Sequence, residues 1–111
     1  MMARLVADFW VRAYLARLGQ ANIPAYVVRR GDATAGAVIV RVNRLDGTGV
    51  LRQRATDPLT GARHWMDLAE GEDGALDAVI ARQSRADPDL WVIEIEAPDG
   101  RDLLDEPGLA D

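Results

Sequence analysis

Residues 37–55 constrain the fold more than any other stretch. Val38, Val40 and Val42 alternate with Ile39, Arg41 and Asn43, which is the period of a strand. Asp46, Gly47, Thr48 and Gly49 follow, residue types suited to a tight turn. Val50 to Ala55 then returns with Arg52 and Arg54 on one side. The pattern predicts a β-hairpin, and a hairpin with apolar side chains needs further elements to cover it.

Those elements can be read on both sides. Residues 5–18 predict a helix, with Val6, Phe9, Trp10, Ala13 and Arg17 on one stripe and an Asp8–Arg12 pair four apart. Val11, Tyr14 and Leu18 widen its apolar face, and Gly19 is the expected stop. Residues 25–29 predict a short strand and residues 63–68 another. Residues 74–85 predict a helix capped by Asp73, with Leu76, Val79 and Ile80 as its apolar stripe. Asp87-Pro88 ends it. Trp91, Ile93 and Ile95 alternate with Val92, Glu94 and Glu96 in the last strand.

The expected order is helix, four strands, helix, strand. This is an α+β domain with a mainly antiparallel sheet of about five strands and both helices on one face. The other face would carry Arg41, Asn43, Arg52, Arg54, Glu94 and Glu96. Residues 1–104 are expected to form one domain, and residues 105–111 a mobile acidic tail.

Charge is split along the chain. Residues 1–66 hold ten arginines and four acids, whereas residues 67–111 hold three arginines and fourteen acids. The expectation is that the halves neutralise each other in the fold, with Glu94 and Glu96 meeting the hairpin arginines across strands. All the basic side chains are arginine. There is no cysteine, which removes disulfides, thiolate metal sites and cysteine nucleophiles. Arg4, Asp8, Arg12 and Arg17 interrupt the first apolar stretch, so neither a signal peptide nor a membrane span is expected. The expected location is the cytoplasm.

Several segments together resemble a known family. They are Arg29-Arg30-Gly31-Asp32, Ala35-Gly36-Ala37, Leu45-Asp46-Gly47, the opening Asp8-Phe9-Trp10-Val11, and above all Asp87-Pro88-Asp89-Leu90-Trp91-Val92-Ile93-Glu94-Ile95-Glu96. They resemble the domain of unknown function 1491 family, found mostly in alphaproteobacteria. The resemblance covers most of the chain and fades after Gly100. It implies a compact single domain in a bacterial protein and carries no activity and no catalytic residues.

Candidate sites are few. Arg29, Arg30 and Asp32 form an arginine-rich turn that suits a small anion or phosphate, or a hydrolytic site. It lacks the lysine and the following helix of a phosphate loop. Arg41, Arg52 and Arg54 offer a strip for nucleic-acid phosphates, but the chain is acidic overall and few aromatics lie beside them. Asp87, Asp89, Glu94 and Glu96 do not have calcium-loop spacing, and no metal or cofactor is expected. His64 is the only histidine and Ser84 the only serine, too little for a catalytic triad. Tyr14, Leu18 and Trp65 are the candidate interface residues. The leading expectation is a non-enzymatic module that binds a protein partner or a second copy of itself. Membrane and nucleic-acid partners are disfavoured.

Overall fold

The computed structural model describes residues 6–109. The elements run α1 (Ala7–Gln20), β1 (Ala25–Arg29), β2 (Val38–Asn43), β3 (Thr48–Thr56), β4 (Arg63–Glu72), α2 (Asp73–Ala86) and β5 (Trp91–Glu96). The order along the chain is the expected one, and the α+β class holds. The expected start of the first helix at residue 5 lies outside the described residues.

The five strands form one sheet in the order β1-β5-β2-β3-β4. Three of its four pairings are antiparallel, and β5 lies parallel to β2 between β2 and β1. That parallel pair follows from the crossover through α2, since neighbouring parallel strands need a long connection.

The helices occupy opposite faces of the sheet, not one face as the strand and helix order suggested. Trp10, Val11, Tyr14 and Leu18 of α1 pack on Val38, Val40, Val42, Ile93 and Ile95. Leu76 of α2 packs with Ile39, Leu51, Leu90 and Val92 on the other side. The two sets are the alternate residues of β2 and β5. The α1-side phase of these strands is apolar throughout, and the α2-side phase is apolar at Ile39 and Val92, where α2 covers it, and polar beyond them at Arg41, Asn43, Glu94 and Glu96. Burying each such Leu, Ile or Val side chain contributes about 1.5–3 kcal/mol.

Three local expectations are corrected. The buried stripe of α1 is Ala7, Trp10, Val11, Tyr14 and Leu18, while Val6 and Phe9 are exposed. Asp73 does not cap α2 through its side chain: it is the first helical residue, and its carboxylate lies 3.3 Å from Arg41 instead. Residues 105–109, expected in a tail, dock over the α1 face. Leu103, Leu104 and Leu109 are buried there, and Arg17 reaches Pro107 and Glu106. Residues 110 and 111 lie outside the described residues.

Candidate functional site

The arginine-rich turn closes onto the segment before β5. Arg29 donates from Nη1 to the Leu90 carbonyl and from Nη2 to the Pro88 carbonyl, the latter at 3.1 Å. The Asp32 carboxylate accepts the backbone N–H groups of Thr34 and Ala35 at 3.0 and 2.8 Å. The Asp32 carbonyl accepts the Trp91 indole N–H at 2.8 Å. Arg30 lies over the Trp91 ring, 5.2 Å from its centroid, and 3.7 Å from Asp8. Gly31 and Gly36 make this closure sterically feasible: a Cβ on either would fall 2.2 or 2.3 Å from the Asp89 carbonyl oxygen. Arg29 and Asp32 thus tie the end of β1 to the start of β5. Arg30 and Asp32 are exposed, and Arg29 is half-buried.

Tyr14, Leu18 and Trp65 are buried, contrary to their expected place at an interface. The Tyr14 hydroxyl donates to the Asp102 carbonyl at 2.9 Å, and the Trp65 indole donates to the Leu109 carbonyl at 3.2 Å. Burial, reinforced by the charge of Asp102, raises the Tyr14 phenol well above its ordinary value. The sheet and the residues after β5 together make the wide face of α1 a core face.

The arginines of the hairpin do not form one strip. In the β2–β3 register Val40 lies opposite Arg52, and Arg41 lies opposite Leu51. Paired residues share a face, so Arg41 points to α2 while Arg52 and Arg54 point to α1. Arg41 meets Asp73, Asp77 and Glu94. Burial pulls its guanidinium down, but the bonds to Asp77 and Asp73 outweigh this and leave it above its ordinary value. Arg52 meets Asp67 at 3.3 Å and Asp102 at 2.9 Å. Arg54 lies between Trp10 and Trp65, with ring centroids 4.8 and 5.1 Å away. The two halves of the chain neutralise each other, as expected for Arg41 and Glu94. The partners of Arg52 lie elsewhere, because a strand's phase cannot be carried across a turn without knowing the register.

Two further features have chemical potential. A cavity of about 260 Å³ is lined by Val6, Trp10, Gly36, Val38, Arg54 and Arg63 among others. Both arginines make additional contacts within the chain. Among the described residues, no group of His, Asp or Glu side chains is placed to hold a metal ion.

The second feature is the β1 edge. Tyr26, Val27 and Val28 are 48, 41 and 59 % exposed, three consecutive large apolar side chains at the end of the sheet. The register shows which backbone groups stand open. The Glu96 N–H bonds the Pro24 carbonyl, so the hydrogen-bonded positions on β1 are Pro24 and Tyr26. By the antiparallel alternation, Ala25 and Val27 direct their N–H and C=O groups away from the sheet. The sequence signal for this edge was available: residues 25–28 carry no charge. A strand assignment alone, however, does not separate an edge from a centre.

The sequence pattern of a protein family of unknown function, DUF1491, matches residues 5–105. The chain belongs to the DUF1491 family. Two solved structures of DUF1491 proteins, and one of a protein from A. tumefaciens, share its fold. A crystal structure from Caulobacter crescentus is 45% identical with a TM-score of 0.82, covering 93% of this chain and 97% of that one. A solution structure of a family protein from the same organism is 44% identical with a TM-score of 0.81, covering 96% and 97%. A solution structure from A. tumefaciens is 31% identical with a TM-score of 0.73, covering 86% and 87%. No functionally curated protein matches the chain. The segments that carry the family resemblance at 29–32, 35–37 and 87–96 meet in space. They form the joint between β1 and β5.

Proposed function

We propose that this protein is a non-catalytic association module that acts in the cytoplasm and takes an extended partner strand along the β1 edge. The observation that carries this reading is the open edge itself. Tyr26 to Val28 are exposed, and Ala25 and Val27 direct their main-chain donors and acceptors away from the sheet, with no partner among the described residues. Strand addition to such an edge draws affinity from main-chain hydrogen bonds and selectivity from alternate side chains. The other candidate surfaces support the reading less. Arg29 and Asp32 are occupied in the joint, and Arg41 and Arg52 are ion-paired on opposite faces. Membrane insertion has no support in the helices, since none of the described ones is long and apolar enough to cross a bilayer.

Peptide display against the whole chain tests the proposal. Selected peptides are expected to be extended and apolar, to shift the amide resonances of residues 25–28, and to lose binding to a Val27→Pro variant. Selected peptides that shift only other resonances, or bind Val27→Pro equally, would overturn it.

A further inference from the structure

We infer that the partner of the β1 edge is a second copy of the same strand, paired antiparallel about a two-fold axis at Tyr26. The inference rests on the association reading and adds the identity of the partner. Three observations select this arrangement.

The first is hydrogen-bond complementarity. The outward groups on β1 belong to Ala25 and Val27, one on each side of Tyr26. An antiparallel copy centred on Tyr26 sets Ala25 against Val27 twice, making about four main-chain hydrogen bonds with no outward group of the pair left over. A dyad one residue away would use Val27 against itself and send Ala25 toward Arg29. The ladder there passes the irregularity between Val27 and Arg29.

The second is the way the strand is bounded. Before it, the next outward position is Ile23, whose N–H is already given to the Leu18 carbonyl at 2.9 Å, so the ladder does not extend in that direction. The register shift around Val28 interrupts it in the other. The segment left between is short and symmetric about Tyr26.

The third is charge. Arg29 and Arg30 stand at the end of β1, while Glu96 of β5 lies beside its start, opposite Pro24. Antiparallel pairing brings the basic end of one copy to the acidic end of the other. Parallel pairing would set like charges together.

Such a contact is small. Stable interfaces bury about 1,200–2,000 Å² in total, and an edge of this length falls well below that. The dimer is therefore weak, with dissociation at roughly 100 µM or above.

The absence of cysteine allows a direct test. At the dyad, Tyr26 forms a non-hydrogen-bonded pair with Cα atoms about 4.5 Å apart, within disulfide range. Tyr26→Cys in the full chain carries a single thiol at an exposed position. Leu59→Cys, at a site 94 % exposed in the β3–β4 turn, measures the collisional background. Under mild oxidation Tyr26→Cys is expected to cross-link about tenfold faster than Leu59→Cys, or more. Wild-type protein is expected to sediment with a concentration-dependent mass that Val27→Pro abolishes. Circular dichroism confirms that each variant is folded. Equal cross-linking rates would overturn the dyad. A wild-type chain that stays monomeric while selected peptides still bind residues 25–28 would overturn the second copy as partner and leave the association reading standing. Self-association unchanged by Val27→Pro would overturn both.

Discussion

The two edges of the sheet are built by different physics. β1 has five residues, three of them exposed and apolar, and is held at its end by close approach. Gly31 and Gly36 let the chain lie against the Asp89 carbonyl and the Trp91 ring. β4 has ten residues and is held by charge and stacking. Arg44 reaches Glu70 at 2.6 Å, Arg52 reaches Asp67, and Trp65 packs 5.4 Å from Trp10. Its outer positions include Asp67, Glu70 and Glu72, all exposed. Exposed charges along an edge discourage another strand from adding to it. β1 carries none between Ala25 and Val28. The protein blunts one edge and leaves the other open, which is the pattern expected if only one is used.

The largest effect tests the steric anchor of β1. Gly31→Ala places a methyl group 2.2 Å from the Asp89 oxygen and 2.7 Å from the Leu90 carbonyl carbon, both backbone atoms. The joint must separate, and thermal denaturation should show a loss of about 3 kcal/mol that salt does not change. Gly19→Ala is the matched control. Nothing lies within 4 Å of its added carbon, and the site is helical, so that variant should be neutral or more stable. Equal behaviour of the two would remove close approach as the anchor.

The charge anchor on the β4 side comes next. Arg52→Met leaves the buried Asp102 carboxylate without its cation. A loss of about 2–3 kcal/mol in urea titrations is expected, since an uncompensated buried charge costs more than the pair was worth. Asp67 is mostly exposed and contributes little of this. The double variant Arg52→Met with Asp102→Asn should recover part of the loss. No recovery would show that Arg52 acts through its packing instead.

Much of this architecture was legible in the sequence, and the failures share a cause. The alternation at residues 38–42 and 91–96 placed the two central strands within a residue of their observed bounds. What strand periodicity cannot supply is which strand lies at an edge or how phases match across a turn. Arg41 and Arg52 were therefore expected on one face, although the register sets Arg52 opposite Val40. The same gap put Tyr14, Leu18 and Trp65 at a surface. Their cover includes the stretch from Leu103 to Leu109, an acidic segment with proline and glycine whose docking depends on three leucines spread along it. The Arg29 to Asp32 turn suggested an anion site by composition alone. The role of Gly31 and Gly36 in it shows only once residues about sixty positions later lie against them.

A smaller effect separates the buried from the open tyrosine. Tyr14→Phe removes the hydroxyl that donates to the Asp102 carbonyl and should cost about 1 kcal/mol at neutral pH. The pH dependence carries the sharper sign. Folding raises the Tyr14 phenol above the ordinary value near 10, because the buried site disfavours phenolate. Above that pH the unfolded chain loses a proton that the folded chain keeps, so stability is full below pH 10 and falls as pH rises beyond it. Denaturation midpoints from pH 8 to 11 should fall more steeply for the wild type than for Tyr14→Phe. Parallel curves would show that Tyr14 does not carry the alkaline loss.

The smallest effect is the one the edge comparison most depends on. Met66 on β4 and Tyr26 on β1 are similarly exposed, at 45 and 48 %. If exposed apolar area alone governed association, Met66→Lys and Tyr26→Lys would weaken it equally. Met66 neighbours the exposed Asp67 and stands on an edge that already bears charge, so a lysine there changes little. Both substitutions should alter stability by less than about 0.5 kcal/mol, since neither removes a buried contact. Only Tyr26→Lys should lower the mass measured by equilibrium sedimentation at high concentration, because it sets two cations side by side at the dyad. A drop in mass for Met66→Lys of the same size would mean that the two edges do not differ in kind.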